Sequence, residues 1–502
     1  MRGIPSLITD IRKKVFTEVA RMAYSGNGYE NVDDLPYIVV PGDQPLHRDS
    51  VFLERAIVKE RVRVAMGLNP RPVHARHLMT EGMDQATIAQ QDYEPPLVSV
   101  IPFACHGCAT DHYKVTEGCQ NCLAASCAKV CPRDAVYFEN GKRHIDKDKC
   151  IRCGKCEKAC PYHAIIHVER PCAKACGVDA IGSDEHGRAV IDQNKCVACG
   201  QCLVSCPFGA IVDKGQIFQV IQSILQGDKV IAIMAPAFVG QFGKHSTPEK
   251  IISAMHTLGF ERTVEVAVGA DMCTIEEAKD FLEKVPGEQP YMLTSCCPAW
   301  HSMVQKQFPG QAGNLSMTLT PMVYTARLMK KKYPGCKVVF VGPCAAKKLE
   351  AIREDIRSDV DFVLTFEELQ GMFEAKEINF ETIPGTDALN EGTAAGRGFA
   401  VSGGVAGAVA NVIARISPDA EVKTARAEGL RECRKLMQLA KAGKYDGYLL
   451  EGMACPGGCV AGAGTLLPVD LAAKVVGRYQ NEAQRESPLD SDYKDQGKSL
   501  EE

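Results

Sequence analysis

The stretch Tyr448-Leu449-Leu450-Glu451-Gly452-Met453-Ala454-Cys455-Pro456-Gly457-Gly458-Cys459-Val460-Ala461-Gly462 decides how this chain is read. A short apolar run leads directly into two cysteines four residues apart. On a helical turn, sulfurs at that spacing project from the same side. Glycines between them leave room for a large inorganic group to approach the backbone. Two further thiol-bearing segments lie upstream: Thr294-Ser295-Cys296-Cys297-Pro298-Ala299-Trp300 and Val341-Gly342-Pro343-Cys344-Ala345-Ala346-Lys347. Three dispersed segments of this kind point to one buried metal centre assembled by the fold.

Working outward, continuous apolar runs recur at Val230 to Pro236, Arg262 to Val268 and Val338 to Val341. Helical patterns over Glu249 to Leu258, Glu276 to Lys284 and Pro321 to Lys332 separate them. Such runs suit parallel strands buried on both faces. The alternation predicts an α/β domain over residues 220–478, with strands delivering loops to a common site at their C-terminal ends.

Of 24 cysteines, 16 fall between Cys105 and Cys206. The runs Cys150-x2-Cys153-x2-Cys156-x3-Cys160-Pro161 and Cys196-x2-Cys199-x2-Cys202-x3-Cys206-Pro207 carry the bacterial ferredoxin spacing, whose fourth cysteine ligates the neighbouring cluster. An internal repeat agrees. Cys131 leads through a turn at Gly141 to Cys150, and Cys176 leads through Gly187 to Cys196. The expectation is an α+β ferredoxin-like domain over residues 96–215 with four 4Fe–4S clusters. One takes Cys119, Cys122, Cys127 and Cys160; a second takes Cys150, Cys153, Cys156 and Cys131. A third takes Cys196, Cys199, Cys202 and Cys176. The fourth takes Cys172 and Cys206 with Cys105 and Cys108, the pair left over. Structural zinc explains C-x2-C pairs in general but neither the tripled spacing nor the trailing prolines.

The formal charge of -4 gives no reason to expect nucleic acid as a partner. The longest apolar runs are too short for membrane insertion. No secretory signal is apparent near Met1, so a cytoplasmic, reducing setting is expected and disulfides are not. Residues 1–95 hold no cysteine and read as a mostly helical segment of unknown role, with amphipathic patterns over Ile8 to Ala23 and Asp49 to Met66. His47, Arg71, His74 and His77 invite a ligand site there; a solvated face or docking segment explains them as well. Residues 479–502 read as a polar, frayed tail.

The three thiol segments resemble the signature loops of iron-only (FeFe) hydrogenases, T-S-C-C-P-x-W, P-C-x-x-K-x-x-E and E-x-M-x-C-x-x-G-C. The resemblance implies two lobes of parallel sheet flanked by helices around an H-cluster. That centre is a 4Fe–4S cube joined to a two-iron unit bearing CO, cyanide and azadithiolate. It implies that Cys297, Cys344 and Cys455 hold the cube while Cys459 bridges both parts. Cys296 is then the proton donor and acceptor, a thiol whose surroundings tune it toward operating pH. Lys347 would donate to a cyanide, Met453 pack against the two-iron unit, and Pro236 with Ala237 line it. Glu277, Asp280 and Ser316 would relay protons, with Glu350 as a helper. Taken alone, Lys347 and Glu350 could be a helix ion pair and Met453 simple core.

The implied reaction is 2H⁺ + 2e⁻ ⇌ H₂, with electrons from ferredoxin or a similar carrier and with maturation factors as further partners. Two departures stand out. Gly342 replaces the common methionine before Pro343, which is expected to leave a space, and Ala299 fills the variable position before Trp300. With the extra cluster pair, they resemble the group B branch. Rival readings are a hydrogen- or redox-sensing homologue and an iron–sulfur assembly protein of the narf type. The latter keeps the four cube ligands but lacks the thiol and lysine found here as Cys296 and Lys347.

Overall fold

The computed structural model describes residues 4–74, 76–90, 94–354, 356, 359–386 and 389–501. Eight short strands build the cysteine-rich region: β1 (Val98–Val100), β2 (His112–Val115), β3 (Val136–Glu139), β4 (Lys142–Ile145), β5 (Ile165–Val168), β6 (Ile181–Ser183), β7 (Ala189–Ile191) and β8 (Ile211–Asp213). They pair antiparallel as β1 with β8, β2 with β5, β3 with β4 and β6 with β7. The β3–β4 and β6–β7 hairpins are the internal repeat, turning at Gly141 (φ 80°) and Gly187 (φ 74°). Each hairpin thus sits inside one ferredoxin-like unit that the outer pair closes.

The remaining strands are β9 (Val230–Met234), β10 (Arg262–Glu265), β11 (Met292–Leu293), β12 (Lys337–Gly342), β13 (Phe362–Thr365), β14 (Lys423–Glu428) and β15 (Tyr448–Met453). They form two parallel sheets, ordered β10-β9-β12-β13 and β11-β15-β14. Every residue of β9 is buried, as a continuous Val-Ile-Ala-Ile-Met run requires when helices cover both faces. Parallel strands all end on the same edge. Consequently β9 delivers Pro236, β11 delivers Cys296 and Cys297, β12 delivers Cys344, and β15 delivers Cys455 and Cys459.

The described part of the N-terminal segment carries helices at Leu7–Tyr24, Leu35–Val39, Val51–Ala65 and Met83–Ala86, and the first of them is no solvated face. Val15, Phe16, Val19 and Ala20 lie in one apolar cluster with Phe366, Leu369 and Met372 and with the interior of β9, β12 and β13. Ser6 caps that helix, its hydroxyl and the Thr9 side chain exchanging bonds with each other's backbone. The histidines and arginine that invited a ligand reading are satisfied locally or lie in solvent. Arg71 binds Glu60, the His47 N–H donates to Glu54, His77 meets Glu81, and His74 is exposed.

The expected frayed tail is a correction. Leu500 is buried in the cluster under β10 and β12, the Arg327 guanidinium donates to its carbonyl at 2.6 Å, and the Tyr324 hydroxyl donates to Glu501. One buried apolar side chain with two donors from the Pro321–Lys332 helix is enough to pin a polar segment. No described helix is long and apolar enough to cross a membrane.

Candidate metal centre and proton path

The loops from β9, β11, β12 and β15 meet around a cavity of about 90 Å³, lined among others by Cys296, Cys297, Cys344, Cys455, Cys459, Lys347, Met453, Pro236 and Ala237. Every residue expected at the centre or in contact with it is there. The thiols are forced into surroundings hostile to their ionised form. Burial pushes Cys344 up to about 12 and raises Cys297 and Cys459 as well. All 24 cysteines are free, so no disulfide explains the convergence.

Buried thiols grouped around one cavity are stabilised as thiolates when metal ions supply the opposing charge. Donors already point at the sulfurs: the Ala454 N–H at Cys297 Sγ (3.5 Å) and Gln201 Nε2 at Cys455 Sγ (3.2 Å). The donor set therefore fits an iron–sulfur cube.

The loop carrying Cys455 and Cys459 corrects the helical-turn reading. Gly457 and Gly458 both take positive φ (95° and 94°), so the chain reverses between the cysteines rather than coiling. A Cβ on Gly458 would meet the Ser402 amide nitrogen at 2.5 Å; the glycine is demanded by protein packing, not by open room.

Gly342 brings a second correction. A Cβ there would lie 2.5 Å from the Phe340 ring and 3.1 Å from Ala235 Cβ. Residues 340 and 342 share a face of β12, and the ring fills the space expected at the glycine and joins the cavity wall.

Lys347 both lines the cavity and pairs with Glu350, Nζ to Oε2 at 2.6 Å, while the Thr320 hydroxyl donates to the other Glu350 oxygen at 2.5 Å. Burial works to lower the Lys347 ammonium, but the charge and hydrogen bond of Glu350 together with the Cys344 and Cys296 charges outweigh it and hold the group above the ordinary lysine value. A buried cation therefore sits at the wall. Met453 is 2% exposed and packs with Ala270, Phe399, Cys296 and Cys297.

Outside the cavity, Glu277 is 1% exposed, and neither carboxylate oxygen has a hydrogen-bond partner within normal distance. Burial pushes it up to about 8; the nearby Ser316 hydroxyl opposes the shift, and the Asp280 and Glu451 charges reinforce it. Asp280, one turn further along the Ala267–Lys284 helix, is half-buried and pairs with Lys284 at 2.9 Å. Carboxylates thus step from the cavity toward solvent. Cys296 departs from expectation: burial, then the Glu277 charge, holds it well above the ordinary thiol value, so it stays a neutral S–H.

Sequence reasoning missed three residues. Cys273 is fully buried one helical turn before Glu277, and its charge would act on Cys296; the i, i+4 spacing could have found it. Phe340 was legible from strand alternation. Cys433, whose Sγ donates to the Met453 carbonyl at 3.5 Å, left no signal.

The cysteines between residues 105 and 206 gather in close sets. Cys105, Cys108, Cys172 and Cys206 line one small cavity. Cys119, Cys127, Cys131, Cys150, Cys156 and Cys160 share one apolar cluster with Tyr113; within it Cys127 lies near Cys122 and Cys160, and Cys156 near Cys131 and Cys150, while Cys153 lies near Tyr113. Cys176, Cys196, Cys199 and Cys202 form the set beside the centre, and Cys199 lines the main cavity. A local device recurs four times: Cys131, Cys160, Cys176 and Cys206 each accept the N–H of an alanine four residues on, at 3.2–3.4 Å.

A thiol-lined centre joined to a chain of cysteine quartets defines an iron–sulfur redox protein. The family described as "Iron only hydrogenase large subunit, C-terminal domain" matches residues 228–463, and "4Fe-4S binding domain" matches residues 143–166 and 189–212. Iron hydrogenase 1 of Clostridium pasteurianum is 30% identical over 387 residues, covering 66% of this chain and 67% of its own. The periplasmic [Fe] hydrogenase large subunit of Nitratidesulfovibrio vulgaris is 30% identical over 374 residues, covering 64% and 85%. The chain belongs to the iron-only hydrogenase large-subunit family.

The NADP-reducing hydrogenase subunit HndD of Solidesulfovibrio fructosivorans is 29% identical, and the match spans 63% of that protein. Probable cytosolic Fe-S cluster assembly factors also match, one from Drosophila mojavensis at 26% over 45% of this chain and 59% of its own. Among solved structures, a variant of the [FeFe]-hydrogenase HydA1 from Chlamydomonas reinhardtii shares 20% identity with a TM-score of 0.46, covering 54% of this chain and 88% of that one.

Proposed function

We propose that this chain is an FeFe hydrogenase interconverting protons and electrons with H₂, with residues 96–215 as relay domain and 220–478 as catalytic domain. One observation carries the reading: Cys296 and Lys347 line the same cavity as the four ligand thiols, and Glu277 stands behind Cys296. A role confined to cluster assembly gives no use for a free thiol, a buried ammonium and a buried carboxylate at that cavity.

Cys297, Cys344, Cys455 and Cys459 would hold the H-cluster, which supplies when bound the redox-active iron at which H–H bonds are made and broken. The chain's own residues do the rest. Lys347 presents a fixed positive charge toward anionic ligands, and Glu350 with Thr320 keeps its ammonium in place. Met453, Phe340, Pro236 and Ala237 close the wall against water. Cys296, neutral at rest, holds the proton nearest the centre and passes it to or from Glu277. With its carboxyl near 8, Glu277 exchanges protons at small cost in either direction, and Ser316 with Asp280 continues the route to the surface.

Electrons would enter from ferredoxin or a comparable carrier and leave the relay at the Cys176/Cys196/Cys199/Cys202 set. A cytoplasmic, reducing setting suits 24 unpaired thiols.

The test is anaerobic maturation with the family's maturation factors, followed by infrared spectroscopy and H₂ evolution from reduced methyl viologen. Bands for CO and cyanide with H₂ output are expected; their absence after competent maturation sinks the reading. Cys296→Ala should keep the bands and lose nearly all turnover, and full turnover would remove the thiol from the proton path.

A further inference from the structure

Three arginines surround the Cys105/Cys108/Cys172/Cys206 set, and among the described residues none of them pairs with a carboxylate. Arg61, on the Val51–Ala65 helix of the N-terminal segment, is 7% exposed. It donates to the Gly209 carbonyl, three residues past Cys206, while its Nε has no partner. Arg48 donates to the carbonyls of Ala104 (3.2 Å) and Phe208 (3.0 Å), which flank Cys105 and Cys206. Arg170, 4% exposed, donates twice to the Cys108 carbonyl and also to Gly182 and Gly187.

Buried guanidinium groups satisfied only by carbonyls are costly, because dipoles do not return the solvation free energy of a full charge. Arg61 shows the strain: burial, with the charges of Arg12 and Arg48 adding, pushes it down to about 9, and Cys206 is the anionic group acting the other way. Arg61 and Arg170 are buried and Arg48 is half-buried; an anionic tetrathiolate cluster held by the four cysteines would balance their charges. Elsewhere in the relay the cations are fewer or already paired, as Arg152 is with Asp111 and Lys174 with Glu169.

We propose that Arg48, Arg61 and Arg170 make the Cys105/Cys108/Cys172/Cys206 cluster the most readily reduced of the relay, and that the N-terminal segment serves the relay by supplying two of these charges. One-electron reduction adds a negative charge to an already anionic cluster, and fixed positive charge in a dry site favours the reduced form. The electron comes from the external one-electron donor, and no proton is involved. The cluster would hold an electron beside the Cys176/Cys196/Cys199/Cys202 set, ready for the second electron of each turnover.

This rests on those four thiols holding one cluster, and the test separates the two claims. The full chain is loaded anaerobically with iron and sulfide and titrated with dithionite while the paramagnetic signals of the reduced clusters are followed. Cys172→Ala should abolish one signal, and that signal should have the highest midpoint in the parent protein. If Cys172→Ala removes no signal, the ligand grouping fails. If the signal it removes is not the highest, the proposal fails. Arg61→Gln should lower the equilibrium constant for reduction of that cluster at least tenfold, about 59 mV for one electron, while Arg61→Lys leaves it nearly unchanged. Arg48→Gln should shift it the same way and decides the matter if Arg61→Gln does not load. Unchanged midpoints in the loaded charge-removal variants would overturn the proposal.

Discussion

Two single residues govern how tightly the centre is enclosed. At Gly342 the Phe340 ring occupies the space a side chain would take. Gly342→Met is therefore expected to overpack the wall and destabilise the chain by about 1–3 kcal/mol. Adding Phe340→Ala should recover much of that loss, a non-additivity that urea unfolding of the two single variants and the double variant would measure. Equal losses that simply add would show that ring and glycine do not share the space. Glu277 supports a pH argument. Its carboxyl titrates near 8 when folded and near 4.3 when unfolded, so the folded chain holds the extra proton between those values. Stability is then lost as pH rises through that window. Glu277→Gln removes the slope. At about 1.4 kcal/mol per pKa unit, the variant should gain a few kcal/mol over the parent between pH 5 and pH 8. The metal-free protein suffices for that comparison, and a constant difference across the range would rule the shift out.

Among the elements, strands that carry continuous apolar runs announced themselves, and with them the edge on which the thiols gather. The elements that stayed hidden are those whose partners supply what their own sequence lacks. Strand β14, Lys-Thr-Ala-Arg-Ala-Glu, has no apolar run because it is an edge strand with mostly uncovered residues. Strand β11 is two residues long and is held by β15. Spacing revealed the cysteine quartets, since cluster geometry imposes it locally; the reversal at Gly457 and Gly458 was hidden because the backbone that forces it lies at residues 400–402. The joint between relay and centre was equally non-local. Gly200 (φ 73°) has no room for a Cβ, which would run into Ala463 Cβ and approach Ala345 Cβ to 3.5 Å. Those alanines flank the Cys459 and Cys344 loops. Gly200→Val should wedge the two regions apart, cost about 1–3 kcal/mol and slow electron delivery. The expected signature is loss of dithionite-driven H₂ evolution with the infrared bands retained. Unimpaired turnover would show that the contact does not set the electron route.

For the molecule as a whole, a buried charge network decides whether the N-terminal segment is an appendage or part of one fold with the thiol-lined centre. Arg12 pairs with Asp213 (3.3 Å) and Glu367 (2.5 Å), and Lys348 pairs with Asp213 (3.1 Å) and Glu368 (3.0 Å). Those five residues come from the first helix, the end of β8, and two helices beside β12 and β13, one of which carries Lys347. Nothing in the local sequence pairs Arg12 with a residue 355 positions away, which is why the segment's role was illegible while its helices were not. Charge and packing act together here. Removing Lys348 as Lys348→Met leaves Glu368 without its cation and Asp213 sharing Arg12 with Glu367, and should cost about 3–5 kcal/mol, read as a lowered urea midpoint. Deleting residues 1–95 does more: it strips Arg12 from the same carboxylates and bares Phe366, Leu369 and Met372, which the first helix covers. Such a chain should aggregate or unfold at much lower urea than the full chain. Recovery as a soluble monomer with the parent midpoint would show that relay and centre stand without the segment, and that its arginines are additions to a self-sufficient fold.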